Sequence, residues 1–452
     1  MKGNIIGNDM ANIVIVYEHK AREMETVLLL QYELEKRNHD VSIFQINDLN
    51  RIRFLIKKID LIITPFLYGN YELKYLFETF GHVNKICNLQ WEQIYNGACK
   101  DDYKRTPKDN AKYATHICWG EYTYNRLIES GCSNAVLTGA PQMDFLKKRF
   151  SKWYLSRDEL YSKYGIEKKN KTLLFISSFS YLGLSKERIE RIKSLVDFDP
   201  YYFKNLTEKS RDIILLWFEK ILKDNPKINI VYRPHPGELF DDRIEKLCNK
   251  YKNLYFISDG SVSQWIVGCD VILNWYSTAG VEAFFAGKNN VFLRPVDFPK
   301  NMDYQMFDMA CQAKTYDDFI SLISNEELVN EHYRKYPLKK NIAPYYLTDE
   351  ALSFMKIVDI IEMLIREEED NRIGSIYRSQ WRLSGHFKWC IKWMLYRVCI
   401  CSKFMPKIVK KRKRLKRFVE FYSKLDTEKI NCEDKIAFEG RIKKVLLDYP
   451  KI

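Results

Sequence analysis

The sequence lacks cysteine pairs at metal-binding spacing. Its eleven cysteines are scattered along 452 residues, and only Cys399 and Cys401 lie close together. A structural zinc site usually takes two pairs of ligands, each pair separated by a few residues. The pattern therefore predicts reduced thiols that pack as small apolar side chains, with no structural metal.

Long apolar runs are also missing. No window reaches the ~18 apolar residues that a membrane-spanning helix needs. The first twenty residues, MKGNIIGNDMANIVIVYEHK, contain too short an apolar stretch for a signal peptide and no small-residue cleavage site after it. We therefore expect a protein that works in the cytoplasm.

A glycine-rich dinucleotide loop is the third absence. The first predicted strand, residues 13–17, runs into EHKARE, which excludes a dinucleotide fingerprint at this turn and weakens a Rossmann oxidoreductase assignment. So many charges at the carboxyl end of a strand predict a polar wall of a site. Glu18 or Glu23 would act there as acid, base or hydroxyl anchor, and Arg22 would bind an anionic group. Solvated charges at a helix start remain the alternative.

What is present is an alternation of short apolar strands and amphipathic helices. With 46% hydrophobic and 29% charged residues, the composition is that of a folded chain long enough for two to four domains. The alternation predicts an α/β protein with two Rossmann-like lobes and a cleft between them. Predicted strands lie at 13–17, 41–44, 61–64, 85–89, 116–119 and 135–138, and then at 172–177, 228–232, 254–257, 271–274 and 291–294.

The domain boundaries follow from this pattern and from a polar connector at 147–171. Residues 1–150 are predicted to form an acceptor-side lobe, and residues 151–345 a nucleotide-sugar-binding lobe. Packing helices at 346–385 and a basic amphipathic tail at 386–452 would complete the chain.

The sharpest local motif is RPHPGE, directly after the strand at 228–232. Two prolines fix the backbone around His235 at the carboxyl end of a strand, where open α/β sheets bind ligands. Arg233 adds a positive charge beside it. A histidine that merely caps a turn is the alternative interpretation.

A second motif, NWYSTAGVEA, runs from a strand through small residues into a helix. Backbone N–H groups at a helix start, together with the hydroxyls of Ser277 and Thr278 and the small Gly280, predict a phosphate cradle that needs no metal. A simple helix N-cap is the alternative. Glu282 in the first turn is expected to bind a sugar or ribose hydroxyl, and Ser261, after another strand, to meet the nucleotide.

One more candidate belongs to the first lobe. Glu92 follows the strand at 85–89 and stands beside Trp91. An aromatic face next to a carboxylate is common in sugar sites, because the ring packs on the sugar while the carboxylate takes hydroxyls or a proton.

These motifs together resemble bacterial surface-carbohydrate (capsule and O-antigen) biosynthesis proteins of the GT-B superfamily. The chain looks similar to Kdo transferases and, more distantly, to polysialyltransferases and CDP-glycerol glycerophosphotransferases. The resemblance spans about residues 12 to 340 and rests on VYEHKAREMETVLLL, LTGAPQMDFL, YRPHPGE and NWYSTAGVEAFFAGKNNVFLRP.

The resemblance implies a metal-independent glycosyltransferase that uses a nucleotide-activated sugar. The expected donor is Kdo or another acidic sugar in its CMP form. His235 would contact the donor phosphate or assist the leaving group, Arg233 would add charge, and Ser277 and Thr278 would hold phosphate oxygens. The acceptor would be a surface polysaccharide or a lipid-linked glycan. Polyol-phosphate transfer from a CDP-activated donor and a noncatalytic glycan-assembly scaffold are the two alternatives.

The net charge of +14 is concentrated near the C-terminus. Residues 386–417 contain twelve lysines and arginines, interspersed with aromatic and aliphatic residues, and no acidic residue. This predicts an interfacial helix with a polybasic patch that binds an anionic membrane surface, here the inner face of the cytoplasmic membrane. No nucleic-acid-binding fold accompanies the tail, so no nucleic-acid partner is expected.

Overall fold

The computed structural model describes residues 10–49, 58–81, 83–101, 104–235, 237–238, 240–367, 371–374, 383–401, 409 and 412–448. These residues divide into two compact units. The first comprises 1–93, 106–142 and 351–440, and the second 94–105, 143–350 and 441–452. Each is built on one six-stranded parallel sheet flanked by helices, which confirms the predicted α/β class.

The first sheet has the strand order β2-β1-β3-β4-β5-β6. Its strands read as buried β-branched runs because helices cover both faces of a parallel sheet; β1 has the sequence NIVIVY. The strands are β1 (Asn12–Tyr17), β2 (Asp40–Gln45), β3 (Leu61–Thr64), β4 (Ile86–Asn88), β5 (Thr115–Cys118) and β6 (Ala135–Leu137). Helices α1 (Lys20–Lys36), α2 (Asn70–Phe80) and α3 (Glu121–Glu129) connect them.

The second sheet has the order β12-β11-β10-β7-β8-β9. Its strands are β7 (Lys171–Ile176), β8 (Ile228–Arg233), β9 (Leu254–Phe256), β10 (Val271–Asn274), β11 (Asn290–Leu293) and the two-residue β12 (Gln312–Ala313). The helices are α4 (Arg157–Tyr164), α5 (Lys186–Lys193), α6 (Pro200–Asp224), α7 (Asp242–Lys250), α8 (Val262–Gly268), α9 (Gly280–Phe285), α10 (Tyr316–Ser324), α11 (Glu326–Lys335) and α12 (Lys339–Ile342). Its core is aromatic: Phe175, Phe218 and Trp275 are all buried there.

The remaining helices are α13 (Ser353–Arg366), α14 (Asn371–Gly374), α15 (Leu383–Cys401), α16 (Lys413–Thr427) and α17 (Cys432–Asp448). Helix α13 buries Phe354, Ile357 and Ile361 and belongs to the first unit together with α1. Residues 351–440 cluster with the first sheet and 441–452 with the second. The predicted division into packing helices at 346–385 and a tail at 386–452 stays a prediction. Within the described ranges, no helix is long and apolar enough to cross a membrane.

Every strand of the sequence prediction is present, with its ends moved by one or two residues at most. The short β12 was not predicted, because two residues carry no periodicity. The long helix α6 begins at Pro200, since Asp199 caps it by accepting a hydrogen bond from Tyr201 N.

Candidate functional site

The candidate residues lie at the carboxyl edges of the two sheets, and each edge has a switch point where the strand order reverses. In the first sheet this point lies between β1 and β3, and in the second between β10 and β7. Connections leave in opposite directions at such a point and open a crevice in which α/β proteins bind ligands. Glu18 follows β1, and Ser277 follows β10 by three residues.

Arg22 gathers the three candidate carboxylates of the first unit. Its NH2 nitrogen lies 2.8 Å from Glu23 Oε1 and 3.4 Å from Glu18 Oε2, and its NH1 nitrogen lies 3.9 Å from Glu92 Oε1. Glu18 and Glu92 expose 31% and 44% of their side chains. The structure therefore brings the predicted group together and leaves two of its carboxylates accessible.

Glu23 differs from Glu18 and Glu92 in its burial, and its predicted catalytic role stays a prediction. Its side chain is fully buried, and its carboxylate accepts hydrogen bonds from the backbone N–H groups of Glu18, at 2.8 Å, and His19, at 3.2 Å. Burial raises the pKa of the carboxyl above its ordinary value, although Arg22 and these hydrogen bonds oppose the shift. Glu23 is thus a positioning residue that holds the β1–α1 turn.

Gln90, immediately after β4, was missed by the sequence analysis. Its side chain is fully buried, and its backbone has a φ of 47°, a conformation that non-glycine residues rarely adopt. Neither atom of its amide has a hydrogen-bond partner in the described part of the chain. Strained backbone and unpaired buried amides destabilise a fold and concentrate at functional positions. A Gln-Trp-Glu run after a strand was the only signal in the sequence.

We expect Gln90→Met to raise the free energy of unfolding by about 1–2 kcal/mol, because it removes an unpaired buried amide. The control is Gln93→Met, the same change three residues away. Gln93 donates to Ile117 O at 2.8 Å and accepts from Trp119 N at 2.9 Å, so this variant should lose stability by about 2 kcal/mol. Urea unfolding measures both, and two losses of equal size would contradict the expectation.

His116 supports the same loop from β5. Its Nε2–H donates to Ala111 O at 2.9 Å, and its Nδ1 accepts from Asn88 Nδ2 at 3.0 Å, an arrangement that suits the neutral ring. Asn88 Oδ1 in turn accepts from Gln90 N. Burial lowers the pKa of His116 to about 4.

Because the pKa of His116 is lower in the folded state, the unfolded chain binds the proton first as the pH falls. The free energy of unfolding should therefore fall from about pH 6.5 down to about pH 4, by up to about 3 kcal/mol from this group. The measurement is the difference in unfolding free energy between the wild type and His116→Asn across this range. A difference that does not change with pH would refute the assignment.

His235 lies after β8 in the second unit and is exposed. Its Nδ1 accepts a hydrogen bond from Gly237 N at 3.0 Å, which places the ring proton on Nε2 in the neutral form. Surrounding protein atoms lower the pKa of the imidazole from its ordinary value, and protonating Nδ1 would break the contact with Gly237. In this tautomer Nε2–H is a hydrogen-bond donor on an exposed residue, which suits an anionic phosphate and not a general base.

Glu238 stabilises the loop that carries His235 through hydrogen bonds. It is a second residue that the sequence analysis missed. Its side chain is 1% exposed. It accepts hydrogen bonds from Tyr232 OH, at 2.5 Å, and from Ser177 Oγ, and its own backbone N donates to His235 O at 2.8 Å. Burial raises the pKa of the carboxyl, while Ser177, Tyr232 and Arg211 oppose the shift. Glu238 thus positions His235. The three-residue spacing of His and Glu was the available signal.

Arg233, the last residue of β8, is buried. Its guanidinium stabilises the loop after β9 through hydrogen bonds. NH1 donates to the carbonyls of Ile257, at 3.0 Å, and Asp259, and NH2 donates to the carbonyl of Gly260 at 2.7 Å. Burial lowers the pKa of the guanidinium to about 10, so it stays charged at neutral pH. Its predicted contribution to phosphate binding remains a prediction, since these donors are directed at the backbone.

The turn at 274–281 differs from the predicted phosphate cradle. The backbone N–H groups of Ser277, Ala279, Gly280 and Val281 already donate within the turn, to Asn274 Oδ1, Ser277 Oγ, Ser277 O and Thr278 O. Helix α9 has six residues, and its N-cap is Ala279 instead of a hydroxyl residue. These four backbone N–H groups already have acceptors, so the support for a backbone phosphate cradle is weaker. Phosphate binding by the hydroxyls of Ser277 and Thr278 stays a prediction.

Gly280, Ser261 and Glu282 have local structural roles. A Cβ at Gly280 would come within 2.9 Å of Asn274 Nδ2, so glycine is required for close packing. Ser261 caps α8 by accepting from Gln264 N, and Glu282 accepts a hydrogen bond from Ser263 Oγ. These contacts account for the three residues without a ligand, so their predicted donor contacts stay predictions.

No family model matches the sequence, and no curated protein matches it. Among solved structures, the wall teichoic acid polymerase TagF soaked with CDPG matches with a TM-score of 0.53 at 11% identity, over 78% of this chain and 88% of that chain. S. aureus MnaA with UDP gives 0.49 at 14% identity over 78% and 96%. A UDP-N-acetylglucosamine 2-epimerase gives 0.49 at 12% over 80% and 98%.

The likeness to TagF and the two parallel sheets together define the fold class of this chain. The chain has a GT-B fold, that is, two Rossmann-like α/β domains. At 11% identity the likeness shows the fold alone.

Proposed function

We propose that this chain is a transferase of bacterial cell-surface glycan assembly that takes a nucleotide-activated donor at the carboxyl edge of its second sheet. The observation that carries the proposal is the His235 loop. Glu238, a buried carboxylate, anchors this loop through Tyr232 and Ser177. The Gly237 N–H fixes the neutral tautomer of His235 that carries its proton on Nε2, where it can be donated to a ligand.

The position of this donor within the sheet supports the proposal. Strands β8 and β10 flank β7, so about 10 Å separates the strand ends that lead to His235 and to Ser277. A nucleotide can span that distance with its phosphate and ribose. Preorganised donors at such a place stabilise the charge that a leaving nucleotide develops.

Two donor classes fit this chemistry, and both release CMP. In transfer from a CMP-activated acidic sugar such as Kdo, the bond between the anomeric carbon and the phosphate oxygen breaks as the acceptor oxygen bonds to that carbon. In transfer from a CDP-polyol, the acceptor oxygen attacks the β-phosphorus and the bridging oxygen leaves with CMP. The solved TagF structure soaked with CDPG gives specific support to the second class.

The acceptor-side chemistry is assigned to the first unit. Glu18 and Glu92 are partly exposed carboxylates beside Arg22, and either can accept the proton of an attacking hydroxyl. An alanine variant that still binds nucleotide but no longer releases CMP would support a chemical role for that residue. Full activity would exclude it.

The test is calorimetric titration of CMP, CDP, UDP and GDP with the full chain in EDTA, followed by CMP release from CMP-Kdo and CDP-glycerol with glycan acceptors. Selective cytidylate binding supports the donor class, and the mass of the product separates sugar from polyol-phosphate transfer. A preference for UDP or GDP overturns the cytidylate assignment. Absence of nucleotide binding supports the noncatalytic scaffold instead.

A further inference from the structure

Helix α15 exposes a continuous apolar stripe. Phe387, Ile391, Met394, Leu395 and Val398 are each 52–62% exposed. At about 3.6 residues per turn these positions fall on one face of the helix. Scattered apolar residues on a surface need no explanation, but five on one face mark an interaction surface.

The opposite face of α15 is packed within the first unit. Trp389, Tyr396 and Cys399 are buried. The ring of Tyr396 stacks on Tyr422 of α16 at a centroid distance of 5.5 Å. The orientation of the helix is therefore set by its own packing, and the stripe is directed away from the protein.

Basic side chains border the stripe on both sides. On a helical projection, Lys388 and Lys392 lie on one flank and Arg397 on the other, and all three are exposed. Arg412, just before α16, and Arg414, Lys416 and Arg417 within it are also exposed and add positive charge. An apolar face with cationic flanks fits a bilayer that has anionic headgroups, because long basic side chains reach the phosphates while the apolar face enters the acyl boundary.

We propose that α15 lies in the plane of an anionic bilayer, with Phe387, Ile391, Met394, Leu395 and Val398 buried in lipid and Lys388, Lys392 and Arg397 at the headgroups. This assigns the membrane partner to a defined helix face. Residues 402–408 and 410–411 of the predicted tail lie outside the described residues, and the proposal does not use them.

The same helices connect this surface to the acceptor-side edge of the first sheet. After α16 the chain reaches the end of β1, where Tyr17 OH donates to Glu428 O at 2.9 Å and accepts from Ile430 N at 2.8 Å. Lys20 N donates to Glu428 Oε2 at 2.7 Å, and Lys20 Nζ pairs with Asp434 at 2.6 Å. The turn carrying Glu18 and Arg22 thus contacts the segment that follows α16, and α16 itself packs on α15. This suits a lipid-linked acceptor, a refinement that rests on the proposed function.

The experiment is flotation of the full chain with vesicles of phosphatidylcholine alone or with about 30% phosphatidylglycerol, without nucleotide. We expect binding to the anionic vesicles that weakens at high salt. Ile391→Gln/Leu395→Gln should reduce binding at least tenfold, and Lys388→Gln/Lys392→Gln should reduce it severalfold. The control is Leu216→Gln/Leu328→Gln, which alters leucines of 61% and 41% exposure on α6 and α11 and should bind as the wild type does.

Circular dichroism and thermal unfolding check that each variant is folded. We expect all of them to fold, because the substituted side chains are exposed. Equal vesicle binding by the Ile391→Gln/Leu395→Gln variant overturns the proposal, as does a wild type that ignores anionic vesicles or binds neutral ones equally. A wild-type dimer that this variant dissociates, with no vesicle binding, would assign the stripe to a second copy of the chain. None of these outcomes depends on nucleotide binding, so failure here is distinguishable from failure of the proposed function.

Discussion

Replacing His235 with alanine is expected to lower kcat/KM for nucleotide-dependent transfer by about 100-fold, with little change in thermal stability. His235 is an exposed residue, and its Nδ1 accepts from Gly237 N, so that the neutral ring carries its proton on Nε2. Removing a preorganised hydrogen-bond donor to a leaving phosphate lowers the rate, because the charge that develops on that phosphate loses its stabilisation. The measurement is CMP release from the donor that calorimetry selects.

Two further substitutions test the chemical role of His235. Glutamine can place an amide N–H near the position of Nε2, so His235→Gln should retain a larger share of activity than His235→Ala. Asparagine places its polar group near Nδ1 and should not. If glutamine is as inactive as alanine while nucleotide binding is intact, His235 acts through protonation and the hydrogen-bond-donor assignment is wrong.

Arg233→Met is expected to lower the free energy of unfolding by about 3 kcal/mol, the second large effect. The guanidinium donates to the carbonyls of Ile257, Asp259 and Gly260 in a buried setting. Removing it leaves these carbonyl groups without their charged donor, so the loop after β9 loses its support. Nucleotide affinity should fall with it, since Ser261 continues the same loop.

The matched control is Arg243→Met, because Arg243 makes an exposed ion pair with Asp212. Exposed ion pairs contribute little to the free energy of unfolding, so Arg243→Met should change it by less than about 0.5 kcal/mol. Arg233→Lys separates charge from geometry: a lysine variant that regains nucleotide affinity but not stability would support a direct contribution of charge to donor binding. Equal stability of Arg233→Met and wild type would contradict the bracing role.

Much of the fold could be predicted because its signals are local. The β-branched run NIVIVY and the strand before RPHPGE lie within a few residues of the turns that end them, and buried parallel strands leave an unbroken apolar run. The motif at 274–281 follows β10 and opens α9 as predicted, but its backbone N–H groups donate within the turn. Whether a backbone N–H points outward or bonds within its own turn depends on conformation, and Asn274 decides it for Ser277.

The sequence by itself determined all strands but β12, their place in two parallel α/β domains, the position of His235 after β8 and the apolar and basic composition of α15. Only the tertiary structure decided which side chains meet. Arg22 joins Glu18 to Glu92, Ser177 reaches Glu238 across 61 positions, and Tyr17 holds Glu428 across 411. Hydrophobic periodicity acts over one or two turns of chain, whereas these hydrogen bonds and ion pairs form between residues that approach only after the sheets have assembled.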